Sequence, residues 1–456
     1  MEHEPSTGPG PAGRGAGAGV RYVADAVIPC DGTVPVLRPG AVEVAGDAVV
    51  RVGRPGDLRS TAPDMVEITV EGALLPGFVN THCHSPMTLF RGTGENLPLL
   101  RWLHEVLWPR EAHLQPDDVY WGMTLAAGEL LGFGVTTTCE MYFHEDATAD
   151  AIVDAGSRAL ITPGVLQLPG DDGGAAWWEP SLERFSGFHE RRHGEAGRIE
   201  VGFAAHAAYT VPLAGLVATA AAARARSALF HVHLAETEHE GDAFTAEHGG
   251  SVPQVLADAG VLDGRVLAAH SIWLTPDDLG VYADNDVAVA HCPQSNAKLA
   301  SGIAPLTDFL DRGVRVGLGT DGPASNNDLD LWEEMRLAAM LARLRSGDAG
   351  ALPAAVALDL ATRGAGRALD RPDLGVLAPG AKADMVAISL DDPAFVPLLD
   401  DAMLLEHLVW SASSRLVTDV WVAGVPVVVD REHRTVDVAR ARDEVGRRAA
   451  RLAGSA

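Results

Sequence analysis

The chain has 456 residues, 47% hydrophobic and 21% charged, enough to bury a large core and to build an α/β barrel with an accessory domain. Asp and Glu number 62 against 35 Lys and Arg, so the formal charge is −27. A surface that acidic repels phosphate backbones and anionic bilayers, which argues against nucleic acid and membrane as partners. The cysteines, Cys30, Cys83, Cys139 and Cys292, are widely spaced and form no C-x-x-C pair.

Residues 1–19 are Pro/Gly/Ala-rich and lack the apolar core of a signal peptide, so a disordered tail and a cytoplasmic protein are expected. Residues 20–73 carry short β runs (YVADAVI, AVEVAG, AVVRVG, ITVEGALL) broken by Gly and Pro, the first part of an expected β-sandwich. Across residues 74–373 the runs LLPGFVNTH, VTTTCEMYF, RALITPGVL, IEVGFAAH, ALFHVHLAE, RVLAAHSIW, VAVAHCP and VRVGLGTD alternate with helical segments. Such alternation means parallel strand pairing, and eight units over this length predict an α/β fold, a (β/α)8 barrel. Gln115-Pro116-Asp117-Asp118 and Thr275-Pro276-Asp277-Asp278 place proline in a first helical turn with acids behind it. Val201–Ala223 has no formal charge over 23 residues, long enough to span a bilayer. It holds His206, Thr210, Pro212 and Thr219, and reads better as strand, loop and alanine-rich helix. Residues 374–456 return to short strands (DMVAISL, DVWVAG, VPVVVD) before a charged helix from about Val436. The two β-rich ends are expected to pair as one small composite domain.

The chemistry-bearing residues fall at the ends of these runs. Asn80-Thr81-His82-Cys83-His84 closes the first, and strand residues two apart face one side, so His82 and His84 can point into a barrel mouth together. Imidazole pairs at that spacing suit zinc or iron, although a His-x-His also arises by chance among 17 histidines. His231, His233 and Glu236 end the fifth run, His270 the sixth and Asp321 the eighth. Ligands and acid–base groups at the C-terminal ends of several strands are what a barrel active site requires.

PGFVNTHCH, HVHLAE, AAHSIWL, CPQSNAKLASGIAPL and LGTDGPASNNDLDLWEEMR, in that order, resemble the amidohydrolase superfamily. Within it the chain is most similar to the methylthioadenosine/S-adenosylhomocysteine deaminases and their chlorohydrolase-like relatives, over roughly Val20 to Val436. The resemblance implies a distorted (β/α)8 TIM barrel, a β-sandwich built from both chain ends, and one divalent metal, zinc or ferrous iron. It implies His82, His84, His233 and Asp321 as ligands, Glu236 as the acid that protonates the ring, and His270 as the group that orients water. Asp321 would double as the base. It further implies Glu111 on the ribose hydroxyls, His206 on the same side and Trp102 in the pocket. The expected reaction is hydrolytic loss of the 6-amino group of an adenosine-type nucleoside, by a protein that self-associates.

The chain also departs from that family. Two arginines that would clamp an amino-acid carboxylate are replaced, by our alignment, by Pro163 and Ala175. A neutral 5′ group is therefore expected, as in 5′-methylthioadenosine, 5′-deoxyadenosine or adenosine, ahead of S-adenosylhomocysteine. Trp177 and Trp178 either face that group or fold back under a surface loop. A bridging carboxylated lysine has no place, since Lys298 is the only barrel-region lysine and follows the seventh strand. His231 reads as packed or hydrogen-bonded, Cys83 as buried and facing away, and His144 as structural or supporting. His291 and Asn296 shape either the site floor or the turn after the seventh strand, and Trp108 and Trp121 read as core. The rival functions are a deaminase or hydrolase of a free base, pterin or s-triazine-like ring. A non-catalytic binding barrel would have lost the acid–base groups that remain here.

Overall fold

The structure, a computed structural model, describes residues 19–62, 65–167, 174 and 176–454; the expected tail before Gly19 and the position Ala175 lie outside the described residues. The chain opens with β1 (Val20–Val27), β2 (Gly40–Ala45), β3 (Ala48–Gly53) and β4 (Val66–Pro76). Only Gly77 separates β4 from β5 (Phe78–Cys83), and a Cβ there would collide with the Thr136 side chain. Then come β6 (Val135–Glu140), β7 (Arg158–Ile161), β8 (Gly164–Val165), β9 (Ile199–Val201) and β10 (Phe203–Ala207). After these follow β11 (Phe230–Leu234), β12 (Val266–His270), β13 (Ala288–His291) and β14 (Val316–Leu318). The C-terminal end adds β15 (Met385–Ile388), β16 (Val417–Val422), β17 (Val425–Val429) and β18 (Glu432–His433).

Both ends share one sheet, in the order β18-β17-β16-β15-β4-β1-β2-β3, with β4 parallel to β1 and antiparallel to β15. The middle of the chain forms two parallel sheets, β5-β6-β7-β9 and β14-β13-β12-β11-β10-β8. The eight expected runs are all present, two of them interrupted: Thr162-Pro163 separates β7 from β8 and Gly202 separates β9 from β10. The third and fourth runs contribute strands to both sheets, and at the other edge Asp321 N donates to His82 O at 3.1 Å. Every residue of β5, β6, β11 and β12 is buried, as expected of parallel strands covered on both faces.

The cover is helical. Pro116–Gly132 and Pro276–Asp284 begin at capping boxes, with Asp118 accepting from Gln115 N at 2.8 Å and Asp278 from Thr275 N at 2.9 Å. The C-terminal helix, Val438–Ala453, lies against the first of these through Arg448 to Asp117 and Arg451 to Asp118. Arg158 on β7 and Asp384 just before β15, both almost fully buried, pair at 2.7 Å and tie the parallel strands to the end sheet. The uncharged segment folds as β10, a loop and the helix Leu213–Arg224; among the described residues no helix is long and apolar enough to cross a membrane.

Candidate active site

The strand ends deliver their side chains to one point. His82 and His84 leave β5, His206 ends β10, His233 lies on β11, His270 ends β12, and Asp321 follows β14. The chain is strained where it turns away from these strands. Ala235, His270, Ser271 and Asp321 all have φ between +51° and +68°, a left-handed conformation that costs a non-glycine residue of order 1 kcal/mol or more. Surrounding bonds hold the turns in place: Ile272 N and Trp273 N donate to Ala235 O at 2.8 and 2.9 Å, and Ser271 N donates to Leu234 O at 2.9 Å.

His84 Nε2 lies 3.3 Å from both His233 Nε2 and Asp321 Oδ1, and His82 Nε2 lies 3.4 Å from the same Asp321 oxygen. His82, His84 and His233 form one group able to hold a metal ion, and His82, His270 and Asp321 another. His84, His233 and Asp321 are each turned inward by bonds at the back. His84 Nδ1 donates to Met141 O, and His233 Nδ1 donates to His206 O at 2.7 Å. Ser295 and Ser325 donate their hydroxyls to Asp321 Oδ2 at 2.6 and 2.7 Å, leaving Oδ1 toward the histidines. His82 Nε2 is buried with no well-aligned hydrogen-bond partner, an arrangement that costs about 1–3 kcal/mol for a polar atom with nothing to bind. That orphaned lone pair, beside two inward Nε2 atoms and a carboxylate oxygen, is a donor set that fits a divalent transition metal.

Electrostatics agree. Burial depresses His82 to about 4 and His233 well below its usual value, so both are neutral and free to ligate at pH 7. Burial opposes ionisation of Asp321, yet the imidazoles of His82, His84 and His270 win and hold its carboxyl well below the usual range. Glu236 goes the other way: burial first, and the Asp321 charge second, keep it protonated far above the usual range. Two carboxyls driven apart in this manner make a candidate base and a candidate acid. Glu236 Oε2 lies 3.8 Å from His270 Nε2, and His270 Nδ1 donates to Asn296 Oδ1 at 2.9 Å.

A cavity open to solvent spreads outward from this cluster. Glu111 is buried on its wall and accepts from Tyr142 OH at 2.7 Å; burial raises its carboxyl to about 7. Trp102 and His206 also line the cavity, the indole anchored by its Nε1–H on Thr93 O at 3.0 Å. Leu99, Leu103, Leu107, Phe143 and Leu166 make the remaining wall largely apolar, and none of the described lining residues is Arg or Lys.

The structure therefore brings together every residue that the sequence assigned to the site: Glu111, Trp102, His206, His82, His84, His233, Glu236, His270 and Asp321. Trp108 also lines the cavity, whereas Trp121 lies under Arg440. Of the two readings left open for Trp177 and Trp178, the packing favours the one in which they fold back, since neither lines the cavity. Trp178 is buried against Gly215, whose missing Cβ makes room for the indole, and Trp177 packs against the same core. Lys298 points to Glu95 at 3.0 Å, away from the cluster. Asn296 supports His270 directly, while His291 is buried outside the cavity wall and His144 bonds Leu114 O at 3.2 Å. Sequence reasoning passed over Tyr142, Ser295, Ser325 and Glu240, whose Oε2 accepts from both Glu236 N and Thr237 N at 2.9 Å. Tyr142 stood in plain view, two residues beyond the end of β6.

Residues 73–427 match the Amidohydrolase family. A 5-methylthioadenosine/S-adenosylhomocysteine deaminase of Pelotomaculum thermopropionicum is 39% identical over 427 residues, 93% of this chain and 97% of that protein. A 5′-deoxyadenosine deaminase of Methanothermobacter thermautotrophicus is 38% identical over 402 residues, 87% of this chain and 92% of its own length. Among solved structures, an adenosine deaminase from Xanthomonas campestris with bound zinc superposes with a TM-score of 0.89 at 35% identity, covering 96% of this chain and 99% of that one.

Proposed function

The chain belongs to the amidohydrolase family, and we propose that it is a hydrolytic deaminase that converts the 6-amino group of an adenosine-type nucleoside to the 6-oxo group, releasing ammonia. One observation carries the reading: the histidine–aspartate cluster, Glu236, whose carboxyl burial pushes upward, and the buried Glu111 surround a single cavity. In this reading one substrate would reach the metal-binding cluster, the acid Glu236 and the ribose anchor Glu111 together.

His82, His84, His233 and Asp321 would hold one divalent metal, zinc by analogy with the bound ion of the solved relative. When bound, such a metal lowers the pKa of a water to ~7 and so makes a nucleophile available at neutral pH. The protein's own groups do the rest. Glu236 donates its proton to N1 of the ring as C6 becomes tetrahedral. His270, with its Nδ1 proton committed to Asn296, presents Nε2 as an acceptor to the attacking oxygen. Asp321 Oδ1 takes a proton from that oxygen and passes it to the departing amine. The oxygen of water ends on C6; one of its hydrogens passes through Asp321 to become the third hydrogen of ammonia, and the other restores to Glu236 the proton it gave to N1. Glu111 as a carboxylate holds the vicinal hydroxyls of the ribose by two charge-assisted bonds, with Tyr142 donating to it from the other side.

The 5′ group is neutral in this reading. The described cavity wall has no Arg or Lys to meet an amino-acid carboxylate. The framework we infer is a distorted (β/α)8 barrel over residues 74–373, its two parallel sheets linked as described above. Residues 20–73 and 374–456 then form one composite β domain with the C-terminal helix, the expected sandwich being replaced by a single eight-stranded sheet that both ends share.

The test is a spectrophotometric deamination screen on zinc-loaded protein, with Glu236→Gln as the blank. Turnover of 5′-methylthioadenosine, 5′-deoxyadenosine and adenosine, with S-adenosylhomocysteine and free adenine poor, supports the proposal. Equal turnover of S-adenosylhomocysteine overturns the neutral 5′ arm. Failure on every adenine compound overturns the nucleoside reading in favour of a free-base, pterin or triazine ring.

A further inference from the structure

Three imidazoles that face a metal with Nε2 must each carry their proton on Nδ1, and each buried Nδ1–H needs an acceptor. For His84 and His233 the acceptor is a main-chain carbonyl, of Met141 and His206 respectively, which can do nothing but accept. For His82 it is another imidazole: Nδ1 meets Nε2 of His231 at 3.0 Å. A ring nitrogen accepts only when the other nitrogen of that ring holds the proton, so the orientation of His82 depends on the tautomer of His231.

The far end of the chain of bonds decides that tautomer. Thr162 Oγ1 lies 2.9 Å from Glu140 O, and a carbonyl can only accept, so the hydroxyl proton goes there. The lone pairs of the same hydroxyl face His231 Nδ1 at 3.0 Å, which makes that nitrogen the donor. Each bond in the row is thereby directed: His82 Nδ1–H to His231 Nε2, His231 Nδ1–H to Thr162 Oγ1, Thr162 Oγ1–H to Glu140 O. His82, His231 and Thr162 are each 0% exposed, so solvent cannot rearrange the row. Its other end is His82 Nε2, which has no well-aligned hydrogen-bond partner and faces Asp321 Oδ1 at 3.4 Å. The remaining neighbour, Cys139 Sγ, is 3.7 Å from His231 Nδ1 and offers only a weak, longer contact.

We propose that His231 and Thr162 are positioning residues that lock His82 in the tautomer and orientation needed to bind the metal. The proposal rests on the assignment of His82 as a ligand. Both residues sit one layer behind the cluster, Thr162 in the break between β7 and β8 and His231 on β11. The Thr162 main chain stays tied to the end of β6, its N–H donating to Glu140 O at 2.7 Å, which holds the hydroxyl beside the ring.

Thr162→Val keeps the volume and removes the hydroxyl that directs the row; Thr162→Ser restores it. Zinc affinity is measured by competition with a chromogenic chelator, and the visible spectrum of the cobalt(II)-loaded protein reports ligand geometry. Thr162→Val is expected to bind zinc about 10–100-fold more weakly with an altered cobalt spectrum, while Thr162→Ser stays close to the parent. His231→Leu, which removes the acceptor itself, is expected to lose at least as much. Unchanged zinc affinity and cobalt spectrum in Thr162→Val, alongside lost binding in His82→Ala, overturns the proposal while sparing the metal site. A lower melting temperature of metal-free Thr162→Val with parental zinc affinity overturns it too, by showing a packing role. Parental zinc affinity in His82→Ala overturns the ligand assignment itself, and the proposal with it.

Discussion

Replacing Glu111 with glutamine keeps the shape of the side chain and an acceptor for Tyr142 OH, and removes only the charge. Burial raises the folded-state pKa of this carboxyl from 4.5 to about 7, whereas the unfolded chain ionises near the lower value. Between those values the native state binds more protons than the unfolded state, so Glu111 costs stability as pH rises through that window and the full cost is present above about 7. Displacement from 4.5 to about 7 corresponds to roughly 3 kcal/mol, an upper bound once local relaxation is allowed. Glu111→Gln escapes that cost. Without nucleoside it should match the parent at pH 4 and exceed it at pH 8.5 in denaturant or thermal unfolding, the gap opening between about pH 4.5 and 7.

Binding should move the other way. A charge-assisted hydrogen bond contributes about 1.5–3 kcal/mol, so loss of the carboxylate should lower kcat/KM for ribonucleosides by roughly 10–150-fold. Residual activity on free adenine, which lacks the hydroxyls, should not change. Stability at high pH is thus exchanged for recognition, a signature that plain misfolding cannot imitate. A glutamine variant that is less stable than the parent at pH 8.5, or that retains full nucleoside activity, would refute the ribose-anchor assignment.

Glu236→Gln keeps the geometry and cannot give up a proton, so kcat should fall about 10²–10⁴-fold with zinc content by elemental analysis unchanged. Asn296→Ala frees the ring of His270 to rotate; kcat should drop by roughly 10–100-fold while KM stays within a few-fold, separable in steady-state kinetics. Trp178→Ala empties a buried indole site against Gly215 and should cost about 3–5 kcal/mol in equilibrium unfolding. Its relative rates on 5′-methylthioadenosine and adenosine should match the parent, and a changed ratio would return Trp178 to the substrate pocket.

All eight parallel runs were legible because each is a short buried stretch bounded by polar, Gly-rich or Pro-containing segments, and fully buried parallel strands are nearly continuous in apolar and small residues. Missing from that reading was the exchange of strand partners. β7 pairs with β6 and β9, and β8 pairs with β10, so the third run serves both sheets. Pro163, with no N–H to donate, stood inside RALITPGVL as the sign of that switch. Gly202 marks the matching break in the fourth run, where a Cβ would meet Leu229 O at 2.7 Å. Helix starts were legible for a different reason: Gln115 and Thr275 are satisfied by residues three positions away, so the whole interaction lies within one short window.

That window explains which site residues were found. His82 and His84 share one strand and a spacing of two; His233 and Glu236 share one strand end; each motif announces itself locally. The residues that aim them do not. Tyr142 meets Glu111 across 31 positions, Asn296 meets His270 across 26, and His231 meets His82 across 149. Each of these is an ordinary side chain until the strands are laid side by side, because its role is conferred by a neighbour and not by its own chemistry. Glu240 is the instructive exception: it lies only four residues beyond Glu236, yet its carboxylate binds the main-chain N–H groups of Glu236 and Thr237, and amides carry no sequence signal. The ligands and acids of such a site can therefore be read from strand ends, whereas the hydrogen bonds that set tautomer, rotamer and backbone turn emerge only when the parallel register is known.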